Sequence, residues 1–375
     1  MNPSSFPATA AAPPTRDALP SSFRVSLLQK WHRYWFTPET AEQLALVRVV
    51  SYALLFAIYL PLDDRGWTQV SPVFWMPISA FHILSGPPRN AALIGILQIL
   101  WKTSLLTSAI GFVSRSSMVT AAGLSFFLLG LPNCFGKIHH LDGFPVLLLG
   151  ILALSRCADA LSVDRVLRSS RVMPSDREMR SEQEARSDVS WQYGWPLRLA
   201  QTLFLLVFFA AGCAKLYNSG LAWMTATNMR SIWLGELFTH TSPTGLGSLL
   251  ARSTWLAQFA AVATVVIELS ALTALFIQRL RILTLVGLLG LQVFIALMLG
   301  VYFTPHLVGY ALFLPWGRYY TKLRRPAGSS RRPWASDADG TSPGSPEIPG
   351  SATMHGSAAW SLDSGAAPSQ QTRRP

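Results

Sequence analysis

Residues 282–300 read ILTLVGLLGLQVFIALMLG, nineteen residues with no charge among them. A run of about 20 apolar residues is long enough to cross the hydrocarbon core of a bilayer as one helix. Such a run limits the options: in lipid every backbone N–H and C=O must bond within its own segment, so a spanning stretch is a helix or part of a closed barrel. Comparable runs occupy 44–62, 91–113, 117–135, 142–155, 197–216, 255–277 and 301–317. These eight runs predict an all-α membrane protein, a polytopic bundle of about eight transmembrane helices.

Composition agrees. Half of the 375 residues are hydrophobic and 13% are charged, against about a quarter in soluble domains. Mean hydropathy is +0.32. The net charge of +12 would suit nucleic acid in a soluble protein. In a membrane protein, Lys and Arg gathered in cytoplasmic loops account for it, and no nucleic-acid partner is assigned. With the N-terminus inside, the inner segments hold 20 Lys and Arg and the outer loops 5 (Arg65, Arg89, Lys137, Arg230 and Arg252). That bias predicts a plasma (inner) membrane protein with both termini cytoplasmic.

Outside the runs, residues 1–24 are polar and Pro-rich, without the apolar core of a secretory signal, and read as a disordered arm. The transmembrane domain covers 25–320, with a charged cytoplasmic loop at 156–196. Residues 321–375, rich in Gly, Ser and Pro, read as a disordered tail. Tryptophans 67, 75, 195, 223, 233 and 316 fall near run ends, where an aromatic belt is expected. Three scattered cysteines make no disulfide framework. No phosphate-binding loop, nucleophile elbow or HExxH helix is present.

Ionisable side chains inside the runs are costly and therefore point to function. They are Arg48, Lys102, Lys215 and Glu268, with the neutral amide Gln292 beside them. Position alone leaves two readings of Lys215. Its stem can lie in lipid while the ammonium reaches the headgroups. Alternatively, burial makes it a neutral amine able to act as a base. Gly212, Cys213 and Ala214 are small and would let a helix or a flat ligand approach. Arg48 and Glu268 are expected to form an interhelical ion pair, since either alone would be costly. Lys102 marks a break or a snorkelling site. His139 and His140 lie at the mouth of the fourth run, on the same side as Lys215 in this topology. Adjacent histidines do not share a helix face, and even with Cys134 no fourth ligand is evident, so no metal is assigned.

Four stretches in order, LALVRVV, IHHLDGFPVLLLGILALSRCADALSVD, WPLRLAQTLFLLVFFAAGCAKLYNSGLAW and VIELSALTALF, carry a family resemblance. Over roughly residues 25–318 the chain resembles the HTTM domain family, bacterial relatives of the membrane part of vitamin K-dependent gamma-carboxylase. The resemblance implies a reduced, vitamin K-like quinone as cofactor, Lys215 as the base that deprotonates it, and His140, or His139, beside it. In that chemistry a glutamate carbon is then deprotonated and carboxylated; the peptide or protein substrate here is unknown. The chain departs from the pattern at Gln292, where a histidine is expected, and at Met224–Ala226, where a glycine should follow Trp223. The function expected is thus a membrane-embedded, quinol-linked enzyme. A transporter or channel and a non-catalytic accessory membrane protein are the alternatives.

Overall fold

The computed structural model describes residues 21–136, 140–170, 189–239 and 245–324. The chain divides into two units, Met1–Arg325 and Pro326–Pro375, and the second lies outside the described residues. So do most of the expected N-terminal arm, the centre of the charged loop at 171–188, and His139.

Fourteen helices are described: α1 Ser21–Trp35, α2 Ala41–Tyr59, α3 Ala91–Ile110, α4 Ser114–Gly130, α5 Gly143–Leu154, α6 Val163–Ser170, α7 Trp191–Ser219, α8 Ala226–Thr239, α9 Leu246–Leu250, α10 Thr254–Ser270, α11 Thr273–Phe276, α12 Gln278–Leu299, α13 Leu307–Ala311 and α14 Trp316–Arg324. The described strands are β1 Glu39–Thr40 and β2 Val189–Ser190, antiparallel with Glu39 opposite Ser190, a clasp between the starts of α2 and α7. Local chemistry sets the ends. Thr40, Asn90, Ser190 and Ser253 each accept a first-turn N–H as N-caps of α2, α3, α7 and α10. Gly111 and Gly300 take left-handed φ values of 74° and 67° to close α3 and α12.

Five helices are long and apolar enough to cross a membrane: α2, α3, α4 with its 3₁₀ extension to Phe135, α7 with its extension to Met224, and α12. The expected count of eight is not reproduced. The run at 142–155 yields only the 12 residues of α5, about 18 Å of helix. The run at 255–277 breaks after Ser270, giving the 17 residues of α10 and then the four of α11. The expected span 301–317 does not form: it holds a 3₁₀ turn at Thr304–His306 and the five-residue α13. Pro305 and Pro315 each remove a backbone donor that a continuous helix needs. This irregular backbone is packed inside the protein, with Pro305, His306, Val308 and Gly309 buried, which is where a bilayer protein tolerates it. Gly309 lies so close to the Phe204 ring that a side chain there would overlap it.

The larger core joins α2–α5 and α7 around Tyr52, Trp101, Phe144 and Phe204. The Trp101 indole donates to Ser125 Oγ at 2.7 Å, satisfying a buried donor. A smaller core gathers Trp233, Met229 and Met298 against Ala257 and Ala261. Trp233 is therefore interior, not part of an aromatic belt. The start of the charged loop is interior as well. Cys157, Ala160 and Ser162 are buried, and Arg115 donates to Ala153 O and Ser155 O at the end of α5.

Candidate functional site

α7 and α10 run antiparallel. Gln258 bonds both Met224 O and Ala226 N, and Lys215, nine residues before Met224, meets Glu268, ten residues after Gln258. Gly212 makes the approach possible, since a Cβ there would already touch Glu268 Cβ and Leu269 Cδ2 at 3.1 Å. Lys215 Nζ lies 2.5 Å from Glu268 Oε1 and 2.6 Å from Oε2, a short two-pronged contact. The Glu268 side chain is 5% exposed and that of Lys215 is 23% exposed. The ammonium also sits over the Trp223 ring, 5.1 Å from its centroid. Lys215 thus has neither of the two environments expected from position: it is not reaching for headgroups alone, and it is not an isolated amine in an apolar pocket.

The expected Arg48–Glu268 pair is overturned by this contact. Arg48 is fully buried and donates instead to Leu161 O at 2.6 Å and Cys157 O at 3.2 Å. The turn that follows α5 brings carbonyls to the guanidinium, and a fork with five donors suits several acceptors at once. Gly111 keeps the place open, for a Cβ there would lie 3.0 Å from an Arg48 nitrogen. Asp164 completes the turn, accepting from Val113 N, Ser114 N and Ser114 Oγ at 2.7–2.9 Å and so capping α4. Partial burial disfavours the Asp164 carboxylate, but the bonds from Ser114 and Val113 outweigh it and lower its pKa below the ordinary value. Lys102 also caps a helix end. Its ammonium donates to Leu60 O and Leu62 O past the end of α2, while α3 runs through it unbroken.

His140 begins a 3₁₀ turn, His140–Asp142, that packs against the turn Thr304–His306. The second turn supplies a residue that the apolar-run reading passed over. His306 is 3% exposed and ringed by Phe204, Phe208, Phe144 and Phe303, with centroids 5.6–6.5 Å away. Its Nδ1 lies 2.9 Å from Gln292 Nε2, and Tyr310 donates to Gln292 Oε1 at 3.1 Å. The signal was a histidine within FTPHLVGY, where one Pro and one Gly argue for packed turns over a span. Gln292 is thus a bridge between the buried His306 and the half-buried Tyr310. Phe204, Phe208 and Lys215 fall on one face of α7 by the 3.6-residue period, so the His306 cage and the ion pair lie along the same side of that helix.

Among the described residues no cluster of His, Cys, Asp and Glu could hold a metal. A cavity of about 320 Å³ opens between α10 and α12, lined by apolar groups such as Phe259, Ile267, Gly290 and Phe294, and it does not include Lys215 or Glu268. Comparison with family models, with curated proteins and with solved structures found no match.

Proposed function

We propose that this protein is an integral membrane enzyme that takes a proton from a lipophilic hydroxyl compound, with Lys215 as base and Glu268 as the acceptor of the proton that Lys215 must first release. The observation that carries the reading is the 2.5 Å contact between a part-exposed amine and a buried carboxylate. An ammonium has no lone pair. A carboxylate touching it offers the proton a short path, after which the amine can accept another from a bound hydroxyl. The indole of Trp223, its centroid 5.1 Å from the amine, suits a flat ring beside it. Those residues fit a reduced quinone, which Lys215 and Trp223 would hold and which supplies an acidic hydroxyl and two electrons. The chain then lies in a plasma membrane with both ends cytoplasmic, on the strength of its Lys and Arg distribution.

A transport path lined by Arg48, Glu268 and Lys215 is less well supported. Lys215 and Glu268 are bonded to each other, and Arg48 is bonded to carbonyls in a separate part of the bundle. The test uses purified protein in lipid nanodiscs supplied with a short-chain reduced naphthoquinone under air. Quinol oxidation above the protein-free rate is expected for the wild type, a loss of 100-fold or more for Lys215→Ala on the scale of a missing general base, about 10²–10⁴, and a smaller loss for Glu268→Gln. A Lys215→Ala variant that oxidises quinol as fast as the wild type removes the amine from the chemistry.

A further inference from the structure

Between α2 and α3 lies a segment that a water-exposed loop does not explain. Residues 66–88, GWTQVSPVFWMPISAFHILSGPP, contain no Asp, Glu, Lys or Arg, and His82 is their one imidazole. Several large apolar side chains point outward: Val73 is 85% exposed and Ile83 87%, with Phe74 and Met76 between them also open. The segment is nevertheless held in place. Trp67 and Trp75 pack on Phe135 with centroids 5.5 and 5.3 Å away, and Met76 N donates to Cys134 O at 2.7 Å. Further on, Phe81 is buried against Phe126 and Phe127, over Gly130, whose missing side chain makes room for its ring.

These contacts fix a depth. From Cys134 to Phe126 the chain descends eight residues along α4 and its 3₁₀ extension, at least about 12 Å at helical rise. The headgroup zone on one side of a bilayer is about 5–8 Å thick. A segment that starts at the end of a spanning helix and reaches 12 Å down its flank passes through that zone to the level of the acyl chains. Its neighbour there, Phe126 on α4, is itself an exposed apolar side chain of a spanning helix. The backbone is prepared for such a place. Pro72, Pro77, Pro87 and Pro88 have no N–H, and the 3₁₀ turns at Pro72–Phe74 and Ser79–Ile83 bond several of the remaining donors internally.

We propose that residues 70–86 form a membrane-embedded loop whose outward side chains, Val73, Phe74, Met76 and Ile83, contact lipid acyl chains beneath the headgroups. The continuity of this surface with the exposed apolar flank of α4, and its lack of Asp, Glu, Lys and Arg, select lipid over a soluble partner. The proposal stands whether or not Lys215 is catalytic.

The test places a nitroxide at Val73→Cys or Ile83→Cys in a Cys213→Ser background, since Cys134 and Cys157 are buried. Ile99→Cys, on the exposed flank of α3, sets the lipid standard, and Arg89→Cys sets the aqueous one. Accessibility to oxygen and to a water-soluble nickel chelate is measured by power-saturation EPR in phosphatidylcholine vesicles. Labels at 73 and 83 are expected to match the label at 99, with an oxygen-to-chelate ratio several-fold above that at 89. A ratio equal to that at 89 overturns the proposal. So does spin–spin broadening that disappears on dilution with unlabelled protein, which would mean that a second copy covers the loop.

Discussion

Removing the Lys215 ammonium while leaving Glu268 in place is the sharpest test of the ion pair. In Lys215→Met the carboxylate, 5% exposed, has lost its partner. Breaking a buried pair from one side costs about 3–5 kcal/mol. Protonation sets an upper limit: a carboxyl with an ordinary pKa of about 4.3 can be neutralised at pH 7 for about 4 kcal/mol. The expected loss is therefore about 3–4 kcal/mol at neutral pH. It should shrink by about 1.4 kcal/mol per pH unit as the solution becomes more acidic, because folding of the variant then takes up its proton more easily. Glu268→Leu strands a lysine that is 23% exposed, whose flexible stem lets the ammonium move toward water, so it should cost only about 1–2 kcal/mol. With both groups replaced by apolar ones, no buried charge remains. Lys215→Met/Glu268→Leu should return to within about 1 kcal/mol of the wild type. Reversible unfolding of the detergent-solubilised protein, followed by tryptophan fluorescence, gives all four stabilities. Equal losses in the two single variants, or a double variant as unstable as their sum, would refute the buried pair.

Three other substitutions test the turn after α5. Arg48→Met leaves the carbonyls of Cys157 and Leu161 without their donor and should cost about 2 kcal/mol, with faster amide exchange confined to residues near 155–164. Arg48→Lys should recover less than half of that loss, because an ammonium is a point charge without the planar fork. Asp164→Asn weakens the cap on α4 and should cost about 1 kcal/mol at pH 7. Since the folded Asp164 has a lowered pKa, its contribution is full above the ordinary carboxylate value near 3.9 and fades as pH falls through the folded one. The gap between Asp164→Asn and the wild type, measured by the same unfolding assay, should accordingly close below about pH 4.

Much of the architecture could be read from the chain because membrane insertion depends on a local sum. Twenty apolar residues make a span wherever they occur, so α2, α3, α4, α7 and α12 lie where the runs predict. Caps are equally local, and Thr40, Asn90 and Ser190 act within three residues of themselves. The run at 301–317 shows the limit of that reasoning. Its apolar sum suggested lipid, but Pro305, Gly309 and Pro315 turn it inward, and His306 went with it into an aromatic cage.

Lys215, Glu268, Arg48 and Gln292 could be singled out from sequence because a polar group in an apolar run is expensive wherever it ends up. Which of them meet is a different matter. Arg48 was the expected partner of Glu268, and nothing along the chain places Lys215 beside it. Antiparallel packing of α7 on α10, with Gly212 at the crossing, brought the carboxylate to Lys215, while the turn after α5 carried its carbonyls to Arg48. Hydrophobicity adds up residue by residue, so the amino-acid order alone determines it; a charge pair needs two helices at one depth and one rotation, and that is settled only when the bundle is assembled.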